Sequence, residues 1–274
     1  MLLPVGINLD EFLEDCPVFT KDDIDRYLGN VTTDSYLSRV AIVARLRRAG
    51  RVIMVRRGLF VSVPWGLKPE THSVDHFSVA ARLTPDAVIS HQSALEFYGM
   101  AAACSADLYY SALRPLCQVE FRGRSYKGVK TPKSLIKGHN EKMLVNVHHR
   151  QGVNLSVTAP ERALVDVIDR TDLLGGWETA TAILNNVVDL DLDVVVDYTK
   201  ALSNATTAAK VGYYLASRSD YLSAQNRHLR ALSDLKPNQP HYLDRSRRRD
   251  GKLVPEWNLM VGRDSDRSSS NAFQ

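Results

Sequence analysis

The sequence predicts an α+β chain in which a small helix-and-hairpin region precedes a larger mixed one, and three observations predict it. A stretch with helical periodicity from Thr33 to Arg48 runs into Gly50 and then into two short apolar runs, Val52 to Val55 and Leu59 to Val63. Short runs enriched in Val, Tyr and Phe dominate from Leu108 to His149, which is the pattern of a small sheet. From Thr158 onward the apolar spacing turns helical.

In chain order, Asn8 precedes Leu9, Phe12 and Leu13 as a cap precedes a short helix. Thr20 caps a second helix over Lys21 to Leu28, with Asp22 and Asp23 in the first turn, where the helix dipole favours anions. Ile24, Tyr27 and Leu28 face a small core, and Gly29 with Asn30 stops the helix. On the third helix Tyr36, Val40 and Val43 share one side, flanked by Leu37, Ala44 and Leu46, while Ser38, Ala41, Arg45 and Arg48 share the other. Gly50 ends it at a position that often needs positive φ. Arg56, Arg57 and Gly58 then form the tip of a β-hairpin.

Three helices followed by a basic hairpin make a winged helix-turn-helix, predicted over residues 1–66. Pro64, Trp65, Gly66 and Pro69 place the boundary between Pro64 and Ser73. The second region, 74–262, divides into an α/β part, 74–157, and a mainly helical part, 158–262. Its helices are expected over Val74 to Leu83 and Ser90 to Tyr98, and its strands over Leu108 to Ser111, Cys117 to Phe121, Ser125 to Val129 and Met143 to His149. Thr158-Ala159-Pro160-Glu161 reads as N-cap, first-turn proline and capping-box glutamate. Further helices follow over Trp177 to Val188, Leu192 to Leu202, Ala208 to Ala216 and Tyr221 to Leu235, then a strand-like run from Leu253 to Met260. Residues 263–274 form a mobile, polar, serine-rich tail.

Charge gives the first region a purpose. Seven Arg and one Asp lie between Val31 and Pro64, a local balance of +6 against +4 for the whole chain. Excess charge kept in one place suits a polyanion, because phosphate neutralisation supplies most non-specific affinity for nucleic acid. On this reading Ser35, Ser38, Arg39, Arg45 and Arg48 of the third helix reach base edges or nearby phosphates of double-stranded DNA. Arg51, Arg56 and Arg57 hold the backbone and set register. A second basic run, Asp244 to Lys252, is diluted by aspartates. It reads as a solvated loop, with a further phosphate contact or a docking strip for an acidic protein as the alternatives.

Composition narrows the rest. With 44% hydrophobic and 24% charged residues, the chain has the balance of a globular protein. Cys16, Cys104 and Cys117 are odd in number and lack C-x-x-C spacing, which points to a reducing cytoplasm and to neither disulfides nor zinc. No signal peptide and no run of about 18 apolar residues is present, so no membrane role is expected. Catalytic signatures are missing as well, namely a phosphate-binding G-x-x-x-x-G-K-[ST] loop, a G-x-S-x-G elbow, H-E-x-x-H and a dinucleotide fingerprint. His148 and His149 are adjacent on a strand and point to opposite faces. Glu161 and Asp166 lie about 140° apart on a helix. Asp189, Asp191 and Asp193 lack the glycine and terminal glutamate of a calcium loop, so they read as a helix-capping turn. The expectation is therefore no enzyme, no cofactor and no metal.

Four stretches together carry a family resemblance: LRRAGRVIMVRRGLFV, ISHQSALEFYGM, TAPERALVDVID and KVGYYL. Over nearly its full length the chain resembles the AbiEi-type antitoxins of type IV toxin-antitoxin systems. That resemblance implies an antitoxin that also represses transcription of its own operon, with the winged helix on promoter inverted repeats and the remainder countering a nucleotidyltransferase-like toxin, by direct contact or otherwise. It implies DNA contacts on the same basic helix and wing, and a monomer or a dimer that pairs on DNA. The polar extension past Gly262 departs from the pattern. Two other classes remain open. A nuclease delivered by a winged helix would cleave plasmid with magnesium, and a ligand-sensing transcription factor would have no toxin gene beside it.

Overall fold

Asn8 starts the first helix as expected, its side-chain oxygen accepting the Glu11 N–H at 3.2 Å at the head of α1 (Leu9–Asp15). A strand absent from the sequence reading, β1 (Val18–Thr20), leads into α2 (Lys21–Gly29). Thr20 and Asp23 close a capping box, with the Asp23 N–H donating to Thr20 Oγ1 at 3.3 Å and the Thr20 N–H to Asp23 Oδ2 at 2.8 Å. The basic helix α3 (Tyr36–Arg48) ends at Gly50, φ +69°. The hairpin of β2 (Val52–Arg56) and β3 (Leu59–Ser62) turns at Gly58, φ +85°. β1 adds antiparallel to β3, with Phe19 opposite Phe60, giving the order β1-β3-β2.

This computed structural model describes residues 8–29, 36–102, 106–115, 118–244 and 251–262, with the side chains of positions 36–39 left aside. The readings of Ser35, Cys104, Cys117, the centre of the second basic run and the 263–274 tail fall outside those residues.

After the hairpin come α4 (His76–Ala81), β4 (Val88–Ile89), α5 (Gln92–Phe97), β5 (Asp107–Ala112), β6 (Val119–Phe121), β7 (Arg124–Lys130), α6 (Lys133–Lys137), β8 (Val145–Arg150) and β9 (Val153–Thr158). Then follow α7 (Pro160–Asp169), a 3-10 turn (Thr171–Leu174), α8 (Trp177–Leu184), α9 (Leu192–Leu202), α10 (Ala205–Ser217), α11 (Ser219–Leu222) and α12 (Asn226–Ser233). Three short strands close the described chain: β10 (His241–Tyr242), β11 (Gly251–Val254) and β12 (Leu259–Gly262). The molecule is thus α+β, with three sheets among the described residues.

By contacts the chain forms two compact units, each assembled from three separated stretches. The first comprises 1–89, 106–130 and 147–157, and the second 90–105, 131–146 and 158–274. The boundary expected between Pro64 and Ser73 falls inside the first unit.

Two cores serve the first unit. Phe12, Leu13, Phe19, Ile24, Leu28, Val52 and Phe60 make the core beneath α3, and Ile42, Val43 and Leu46 of that helix pack on it. This corrects the expected helix face, since Val40 is 48% exposed and Ile42 takes the inward place. The larger sheet runs β6-β7-β5-β4-β9-β8. It mixes parallel pairs, β5 with β7 and β4 with β9, with antiparallel ones, and buries Ile89, Leu108, Tyr110 and Tyr126.

In the second unit α7 lies at the centre, buried along nearly its whole surface through Ala163, Leu164, Val165, Val167 and Ile168. Pro160 opens it as expected, but Thr158 does not cap it. Thr158 is the last residue of β9, the N-cap position is Ala159, and Glu161 Oε1 instead accepts the Asp191 N–H at 3.3 Å. The capping turn expected before α9 is present, with Asp191 Oδ1 accepting the Asp193 and Val194 N–H groups. The single helix expected over Tyr221 to Leu235 is two, broken at Ser223 with φ +54°. The run from Leu253 to Met260 is a hairpin of β11 and β12 rather than one strand. Trp257 in its turn lies so close over Gly212 of α10 that a Cβ there would meet the indole at 2.0 Å.

Candidate nucleic-acid interface

The last turn of α3 carries Arg45, Arg47 and Arg48, and all three are exposed. Cations at a helix C-terminus are favoured by the helix dipole, which accounts for their tolerance there without any ligand. Their outward direction follows from the core side of α3 being filled by Ile42, Val43 and Leu46. The hairpin tip adds Arg57, also exposed. Among the described residues none of these four forms an ion pair, and Arg48 makes only a long 3.4 Å bond from Nε to its own helix at the Ala44 carbonyl.

Two arginines expected at the interface are committed elsewhere. Arg51 is 8% exposed; its Nε donates to the Val63 carbonyl at 3.0 Å, one of its terminal nitrogens reaches Asp10 Oδ1 at 2.7 Å, and its guanidinium lies 4.2 Å from the centre of the Trp65 ring. It is a clasp between the start of β2, the residue after β3 and α1. Arg56 is half-buried and donates to the Leu83 carbonyl at 2.7 Å. Both arrangements have the same cause. A residue at a strand end meets whatever chain returns beside it, and those partners, Asp10, Val63 and Leu83, are 41, 12 and 27 residues away.

Of the remaining expected residues, Arg39 and Ser38 lie on α3 with side chains outside the described set, and Ser35 lies outside it altogether. Arg47 was not among them, although its place one residue before Arg48 on a basic helix end was a usable signal. It lines two grooves at the end of α3. The groove between α2, α3 and the hairpin, about 340 Å³, is lined by Ile24, Val40, Val43, Ala44, Met54 and Phe60 with Lys21, Asp25, Arg47 and Arg57 among the polar residues.

Compared with known proteins, the chain matches no protein-family model and no curated protein.

The second unit concentrates its chemistry in buried groups. Arg162, 1% exposed, donates to the Glu141 and Met143 carbonyls at 3.0 and 2.7 Å and lies 3.4 Å from Asp166. Tyr198 donates to the same carboxylate at 2.6 Å, and burial together with that carboxylate drives its phenol well above the ordinary range. His91, in a φ +56° conformation at the head of α5, is buried with Nδ1 at 2.9 Å from Ser90 Oγ, and burial holds its pKa below the usual value. Two of the four stretches that carry the resemblance, those at His91 and Arg162, are therefore built around polar groups sealed from solvent. A polar cavity of about 680 Å³ lies in this unit beside the N-terminus of α10, lined by Asp169, Arg170, Asp172, Thr207, Lys210 and Asp244 among others. Arg170 and Asp172 pair through two 2.8 Å bonds, which lower the Asp172 carboxyl below its ordinary value. Among the described residues no group of three or more His, Cys, Asp or Glu side chains is arranged to hold a metal ion, and His149 is bonded to Asn154 at 3.0 Å. No helix among them is long and apolar enough to cross a membrane.

Proposed function

We propose that α1 to α3 and the β2–β3 hairpin act as a winged helix that binds duplex DNA, with α3 in the major groove and the hairpin tip along the phosphates. The observation that carries this is the set of four exposed guanidinium groups at Arg45, Arg47, Arg48 and Arg57, on one helix end and the adjoining hairpin tip, which form no ion pair among the described residues. A phosphate-binding surface needs guanidinium groups open to solvent, and these four are. Replacing Arg47, Arg48 and Arg57 by Ala in the full chain should flatten the dependence of log K on log salt by roughly three units. An unchanged slope in fluorescence anisotropy would take this surface out of the interface.

Together with the resemblance carried by its four stretches, this supports an antitoxin that represses its own operon and counters a nucleotidyltransferase-like toxin with the rest of the chain. The test is co-expression. Growth arrest by a toxin encoded beside this gene should be relieved by the full chain, and no relief would leave only a DNA-binding regulator. A ligand-sensing regulator is the second reading, favoured by the polar cavity beside α10.

A further inference from the structure

We propose that the groove between α3 and the hairpin recognises the C5 methyl group of thymine, through Val40 and Met54. This rests on the DNA-binding reading above and adds to it a basis for sequence preference. Both side chains line the groove and both are exposed, Val40 at 48% and Met54 at 41%. Neither belongs to the core cluster beneath α3. The core beneath α3 is filled by Ile42, Val43 and Leu46, and at an exposed helix position valine is a weaker helix former than alanine or arginine. Ala44, with its small side chain, lines the same groove.

The occupant follows from the lining. A lining that joins the aliphatic Val40, Val43, Ala44 and Met54 to Lys21, Arg47 and Arg57, with Asp25 the one acid among the described lining residues, suits a surface that is both apolar and anionic. The major groove at a T·A pair offers that combination, a methyl group on the base edge between two phosphate chains. The preference for thymine would come from methyl burial, which is worth about a fourfold change in binding constant for each methyl group covered.

The experiment uses the full chain and a duplex enriched from a random pool by its binding. Every thymine in the enriched site is replaced in turn by deoxyuridine, which removes the methyl and keeps the pairing. Affinity should fall about fourfold at one or more positions. The V40A/M54A variant should bind both duplexes alike, with the salt slope of the wild type. Equal affinity of the wild-type chain for thymine and deoxyuridine duplexes would overturn the inference and leave DNA binding intact, with the groove free for a protein surface. A difference that persists in the variant would overturn it too, by tracing the effect to duplex stiffness. Failure to enrich any duplex would instead overturn the DNA-binding reading on which it rests.

Discussion

At the centre of the helical unit Arg162 is 1% exposed and spends its donors on two backbone carbonyls and a carboxylate, whereas on α3 Arg45, Arg47 and Arg48 stand in solvent with no ion pair among the described residues. The same side chain is a structural pin in one region and an available cation in the other. What separates the two is burial. A guanidinium taken out of water must find partners for its donors, and once it has them it is no longer available to a ligand. Arg51 shows that the division does not follow the boundaries of elements, for it is pinned only a few residues from the exposed set.

Removing a pin should cost stability, and the largest effect is expected at Arg162. An Arg162→Ala change strands Asp166 and frees the Glu141 and Met143 carbonyls in a dry interior, a loss of about 3–5 kcal/mol. Urea unfolding of the two proteins checks it, and a difference below about 1 kcal/mol would erase the contrast between the two kinds of arginine. Arg51→Ala comes next, at about 1–3 kcal/mol, from a buried carbonyl left without its donor and the lost Trp65 contact. The Asp10 partner is 53% exposed and adds little through screening solvent. The same measurement on Arg48→Ala should stay within about 0.5 kcal/mol of wild type, and a loss equal to that of Arg51 would mean that both are pins.

The smallest effect sharpens the picture for the buried polar cluster. Burial lowers the His91 pKa below that of the unfolded chain, so the unfolded state binds the extra proton first as pH falls. Its contribution is fully present above about pH 6.5 and is lost below it, down to the depressed folded value, by at most about 1.4 kcal/mol per pH unit. His91→Asn should flatten stability over that window, and an unchanged pH profile would show that the imidazole is not sealed.

How much of this was legible depended on how local the cause was. Asn8, Gly50, Gly58 and Asp191 do their work within a few residues, and each acts in the structure as its neighbourhood in the chain suggested. β1, β4 and β9 escaped. Two or three residues carry no period to read, and β9 joins β4 through a parallel pairing of Ile89 with Val157, 68 positions further along the chain. Thr158 looked like a cap because its sequence neighbours fit one, yet the strand that ends there claimed it first. The candidate interface was legible as a charge cluster, and its membership was not. The sequence marks seven arginines between Val31 and Pro64, while only the returning chain decides that Arg51 and Arg56 turn inward. The orientation of α3 is a similar case, since Val40 and Ile42 are both aliphatic and periodicity alone does not choose between them.

The alternation of the chain between its two units has a bearing on how the protein is made. A polypeptide leaving the ribosome hands over residues 90–105 and 131–146, which belong to the second unit, before the first has received its last stretch at 147–157. Vectorial synthesis therefore gives no early moment at which one unit is whole and the other not begun. By the same geometry, no single proteolytic nick releases either unit as an uninterrupted fragment.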